Sequence, residues 1–140
     1  MAELLNEPDA DARDLEFLED QINSYNIAVT GIREWYPLAI FVRENGAIVA
    51  GVAGGMWGGY LEIQNLWVRD DLRGQGLGRR LLLAAEDEAR ARGCTQVLLD
   101  THDFQAPGFY QKHGYEIFGT FEGIGGRFNR YYLRKTLATP

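Results

Sequence analysis

The chain has one cysteine, two histidines and four prolines in 140 residues, and each scarcity closes off a class of explanation. Cys94 has no second thiol within the chain, so no internal disulfide staples the fold. Two histidines and one cysteine, without ligand spacing, do not make a metal site. No run approaches the roughly 18 apolar residues of a membrane span, and the acidic N-terminus lacks the basic and apolar regions of a signal peptide. A basic excess is missing too: 14 Lys and Arg stand against 20 Asp and Glu, whereas a nucleic-acid binder carries a basic face. The absences together predict a cytoplasmic protein that binds neither nucleic acid nor membrane and uses no metal.

What is present fits one ordinary globular domain over residues 1–140, with 46% hydrophobic and 24% charged residues. A chain of this length buries roughly two thirds of its unfolded surface and needs no staple. The net charge of −6 is uneven. Residues 1–20 hold eight acids against Arg13 alone, a local −7, and the other 120 residues carry 12 acids and 13 bases, a sum of +1. The acidic start reads as a solvated helix face or as a lip that attracts a cationic substrate.

Periodicity orders the elements. Asp9 to Asn23 reads as a helix, with Leu15, Leu18 and Ile22 at spacings of three and four, while Tyr25 to Arg33 is ambiguous. Strands follow at Leu38 to Arg43, Ala47 to Met56 and Tyr60 to Val68, joined by turns at Glu44-Asn45-Gly46 and Gly58-Gly59. Gly76 to Gly93 reads as a helix with Leu77, Leu81, Leu82, Ala85 and Ala89 on its apolar face and Glu86 outside it. A short strand at Val97 to Leu99, a short helix at Phe109 to His113 and a hairpin of Tyr115 to Phe121 with Phe128 to Leu137 complete a mixed α/β domain with one crossover helix.

The most informative stretch is Arg73-Gly74-Gln75-Gly76-Leu77-Gly78-Arg79-Arg80, between the third strand and the crossover helix. Three glycines at alternate positions strip the helix start of side chains. Free backbone N–H groups and the positive end of the helix dipole make an anion site suited to phosphate or pyrophosphate, and Arg73 can add a charged fork. A glycine turn that merely starts a helix is the plain alternative. A dinucleotide fold is a second, helped by Asp100, 22 residues after Gly78, where the ribose-binding acid would sit. Its G-x-G-x-x-G spacing fails, because Arg79 and Leu81 occupy the places of the last small residue.

The segment Arg73 to Gly78 resembles the Arg/Gln-x-x-Gly-x-Gly/Ala signature of the GNAT superfamily of N-acetyltransferases. Ala106, Tyr110, Gly114 and Tyr115 match the family's second signature. The resemblance spans Leu38 to Leu137. It implies a GNAT-like fold, a central, mostly antiparallel sheet with one splayed parallel strand pair, flanked by helices. It also implies acetyl-CoA as cosubstrate and direct acetyl transfer to a primary amine of a small molecule or peptide, in a ternary complex. By the same resemblance, Arg73, Gly74, Gln75, Gly76, Leu77, Gly78 and Arg79 hold the pyrophosphate. Leu66, Trp67 and Val68 receive the pantetheine arm as an added strand, with Val68 N–H as the donor to the developing oxyanion. Ala106 belongs to the cofactor site, and Asp103 stands where many relatives carry Asn. An ionised carboxylate cannot donate as the amide does.

The resemblance makes Tyr110 the general acid for the departing thiolate, and Glu62, six residues before Val68, the base acting through a water. Glu62 otherwise reads as a solvated strand carboxylate, and His102 is a second candidate base. Trp35, Tyr36, Trp57, Tyr60, Arg127 and Tyr131 are candidates for the acceptor pocket. A non-catalytic acyl-CoA sensor is the rival reading, and a homodimer is compatible with either.

Overall fold

The computed structural model describes residues 1–138, and the chain falls into two compact units that meet between Arg33 and Glu34. The first unit is built on helix α1, Ala12–Thr30. Asp11 caps its start by accepting from Arg13 N–H, and Gly31, in the left-handed region, closes its end on the Ile27 carbonyl. The helix runs seven residues beyond Asn23, where the sequence was ambiguous, because Tyr25 and Val29 continue the spacing of three and four begun at Leu15. No residue of α1 is buried.

The second unit is one six-stranded sheet of order β1-β2-β3-β4-β6-β5. Its strands are β1 Trp35–Glu44, β2 Ala47–Trp57, β3 Tyr60–Val68, β4 Gln96–His102, β5 Glu116–Ile124 and β6 Phe128–Thr136. Every pair is antiparallel except β3 with β4, which α2, Leu77–Ala91, connects as the crossover. The short helix α3, Pro107–Lys112, leads into β5. The predicted order of elements and the one parallel pair are those observed.

The core lies between α2 and one face of the sheet: Leu81, Leu82, Ala85 and Ala89 meet Leu38, Val52, Leu61, Ile63, Val97, Leu99 and Leu133. Cys94 joins this cluster as a buried thiol, and burial raises its pKa. Glu86 corrects the sequence reading, because it is fully buried rather than outside the apolar face. Its carboxylate accepts from the Tyr115 hydroxyl at 2.8 Å and from Lys135 Nζ at 2.9 Å. These partners tie α2 to β6 and to the start of β5.

A bulge shapes the site. Gly54 pairs with Ile63 but the adjacent Ala53 pairs with Asn65, so Gln64 is an extra residue on β3. Pairing of β3 with β4 ends at the same place, with Ile63 opposite Leu99. Beyond it the two strands part.

Candidate active site

The parting of β3 and β4 opens a cleft of about 670 Å³. Leu66, Trp67 and Val68 line it from β3, Asp100 and Thr101 from β4, the glycine turn from the start of α2, and Ala106, Phe109 and Tyr110 from the start of α3. Each wall follows from local sequence. The bulge at Gln64 releases β3 from its parallel partner, and α2 begins only after a short 3-10 turn, Asp70–Leu72, and two glycines with positive φ, Gly74 and Gly76.

Backbone geometry turns the cleft's β3 wall into a set of donors and acceptors. Arg69 N–H donates to the Val49 carbonyl at 2.9 Å, which makes Ala50 and Val68 a pair of the kind that exchanges no direct hydrogen bond. By the alternation of an antiparallel ladder, the Trp67 peptide faces Gly51 on β2. The N–H and C=O groups of Leu66 and Val68 therefore face the opposite way, into the gap that β4 has vacated. The Val68 carbonyl accepts from Arg73 Nε at 3.0 Å.

The start of α2 forms one end of the cleft. Gly76, the N-cap, has no side chain with which to cap the helix, and the first turn holds no acid. The first-turn N–H groups consequently lack a side-chain partner, which is the donor set that an anion needs. Gly74 and Gly76 leave the space above them open, whereas a Cβ on Gly78 would meet the Phe109 ring at 3.4 Å. That distance is ordinary van der Waals contact, so position 78 borders α3 without requiring glycine for space. Arg73 is engaged rather than free: besides Val68, it pairs with Asp70 at 2.9 Å.

Tyr110 lines the cleft from α3. Its ring meets Phe109 and Tyr115 edge to face, at 5.2 and 5.9 Å between centroids. Burial and then the negative charge of Asp100 raise its pKa. Such a phenol stays protonated throughout the neutral range, as a proton donor must.

Several predicted site residues lie elsewhere. Gln75 and Asp103 do not line the cleft. Asp103 bridges to β6, accepting from Asn129 N–H at 3.0 Å. Glu62, half-buried, sits opposite Leu98 in the paired part of β3 and β4 and does not line the cleft. His102 is engaged with Gln105 Oε1, at 2.9 Å from Nδ1 and 2.7 Å from its own N–H. None of the six residues suggested for the acceptor pocket lines the cleft; Tyr36 and Tyr131 pack against the core instead. Asp100, Thr101, Phe104, Gln105 and Phe109 line it without having been assigned there. The one available signal was the position of Asp100 at the end of the short apolar strand.

A chain with this parted strand pair, glycine turn and cleft tyrosine is similar to several known proteins. Acetyltransferase Atu2258 of Agrobacterium fabrum is 34% identical over 127 residues, 90% of this chain and 93% of that protein. Blasticidin-S acetyltransferase of Streptomyces morookaense is 40% identical over 93 residues, 63% of this chain and 68% of that protein. A crystal structure of an acetyltransferase from Agrobacterium tumefaciens matches with a TM-score of 0.90 at 30% identity, covering 98% of this chain and 100% of that one. Residues 1–115 match the acetyltransferase (GNAT) family, which takes in both the glycine turn and Tyr110, and the chain belongs to that family.

Proposed function

We propose that this acetyltransferase moves the acetyl group of acetyl-CoA directly to a primary amine while both substrates are bound. The observation that carries the reading is the row of Leu66 and Val68 peptide groups facing the cleft, with an uncapped helix start at one end and Tyr110 in the lining. An extended pantetheine arm bears amides that can pair with such a row as an added strand does. Its pyrophosphate suits the N–H groups of the α2 start.

An alkyl ammonium has a pKa near that of lysine, about 10, so the amine must shed a proton before it attacks. Glu62, which lies on the paired part of β3 outside the cleft lining, takes that proton through intervening water rather than by direct contact. The amine nitrogen then bonds to the thioester carbon, Val68 N–H stabilises the charge on the carbonyl oxygen, and the carbon–sulfur bond breaks. The thiolate leaves with the proton of the Tyr110 hydroxyl, and the excess proton on the nitrogen of the new amide returns to the Tyr110 oxygen, so that the products are the neutral amide and the free thiol. Calorimetric titration with acetyl-CoA, followed by thiol release over an amine panel, tests the reading. Saturable binding and amine-dependent thiol release are the expected results, and binding of NADH in place of acetyl-CoA would overturn it.

A further inference from the structure

The cleft has two electrostatic ends, and acetyl-CoA accounts for only one of them. Arg73 and Arg79 lie at the glycine turn. Among the residues that line the cleft, Asp100 is the only carboxylate. A polyanionic cosubstrate gains nothing from a negative charge there, since phosphates and carboxylates repel. Arg130 meets one oxygen of this carboxylate, and the other oxygen is open to the second substrate.

We propose that Asp100 is the acceptor-binding residue, and that the acceptor is a cationic primary amine whose N–H bonds to the Asp100 carboxylate beside Tyr110. Three features of the structure support this. Asp100 is the first β4 residue beyond Leu99, where pairing with β3 stops, so it borders the gap itself. Its Oδ2 accepts from Arg130 Nε at 2.8 Å, and Oδ1 takes no hydrogen bond from a described residue. Arg130 also lies over the Tyr132 ring at 5.2 Å, and its single hydrogen bond to Oδ2 leaves the carboxylate one oxygen for a ligand. The charge of Asp100 is also felt at the Tyr110 hydroxyl, which sets the two groups in one electrostatic neighbourhood.

The proposal rests on the transferase reading above and adds the acceptor's charge and its anchor. A plain alternative is an ion pair that only joins β4 to β6. Kinetics separate the two. Steady-state rates are measured with acetyl-CoA and a panel of butylamine, 1,4-diaminobutane and glycinamide, for wild type and for Asp100→Asn, Asp100→Glu and Arg130→Gln. Asp100→Asn is expected to raise the amine KM about tenfold or more while leaving the acetyl-CoA KM within about twofold, the size of a lost charge-assisted hydrogen bond. Asp100→Glu recovers part of the loss. Arg130→Gln, which breaks the same ion pair but keeps the carboxylate, changes the amine KM by less than about threefold.

Equal KM defects in Asp100→Asn and Arg130→Gln would reduce Asp100 to an ion-pair partner and overturn the proposal, as would an unchanged amine KM in Asp100→Asn. Should no amine in the panel release thiol, calorimetry of the same amines against the protein loaded with acetyl-CoA replaces the rates. Loss of amine binding in Asp100→Asn supports the proposal, and absence of amine binding to wild type overturns it. Failure of acetyl-CoA itself to bind is the separate result that removes the transferase reading.

Discussion

Tyr110 is half-buried in the cleft wall and Glu86 is fully buried, and the fold uses them in opposite ways. The Tyr110 phenol keeps its proton because burial and Asp100 disfavour the anion. In the proposed role of acid, Tyr110 works when protonated and loses activity only as pH climbs past its pKa, so the alkaline limb of kcat is expected above the ordinary tyrosine value of about 10. Tyr110→Phe is expected to lower turnover by at least about tenfold with acetyl-CoA affinity nearly unchanged, on the usual worth of a general acid, and the pair is read by thiol release and calorimetry. Glu86 is instead a charge held in the core by two donors. Glu86→Ala leaves Lys135 and Tyr115 without their partner, and urea unfolding is expected to show a loss of about 3–5 kcal/mol. Its burial was legible in the spacing, since Glu86 lies four residues after Leu82 and three before Ala89 on the apolar face. Its charge argued the other way, and only the placement of Tyr115 and Lys135, 29 and 49 residues downstream, reverses that argument.

The bulge on β3 governs the cleft more than any helix does. It depends on Gly54, whose added Cβ would fall on the Glu62 carbonyl, so the close approach of β2 and β3 admits no side chain there. Gly54→Ala must push backbone from backbone, with a cost of about 1–3 kcal/mol or more, and a lower Tm together with weaker acetyl-CoA binding is the expected result. Gly76 constrains the other end. It holds φ +84 at the N-cap, where an L residue is strained by about 1–2 kcal/mol, so Gly76→Ala should cost that much in unfolding experiments. Strand and helix identities were readable from local periodicity because each element satisfies its own pattern. The bulge was not, since it is a mismatch between two strands and no single strand records it. For the same reason the sequence does not show that the residues suggested for the acceptor pocket lie outside the parted-strand cleft: a side chain's face depends on register with strands far away in the chain.

On the scale of the whole molecule, alkaline stability is tied to Tyr115. Burial, the hydrogen bond to Glu86 and its negative charge raise this phenol's pKa far above the ordinary value. A group whose folded pKa is raised contributes stability that is full below the unfolded pKa, about 10, and declines as pH rises beyond it, because the unfolded chain releases the proton first. Tm is thus expected to fall from about pH 10 upward in the wild type and to fall less steeply in Tyr115→Phe, as scanning calorimetry across that range would show. The order of elements and the single parallel pair were legible from the chain, and so was the anion-binding turn. The cleft's second end was not, because Asp100 acquires its setting only when β4 parts from β3. That parting also bears on solubility. A strand with open peptide groups usually recruits the strand of another chain, and proteins guard such edges at the rim of a sheet. Here the open peptide groups of Leu66 and the Val68 N–H lie in the middle of the sheet, flanked by β2 on one side and β4 on the other, while Arg73 takes up the Val68 carbonyl. A slot so enclosed excludes an invading sheet while admitting one slender chain, so the protein can keep its stickiest backbone exposed without aggregating through it.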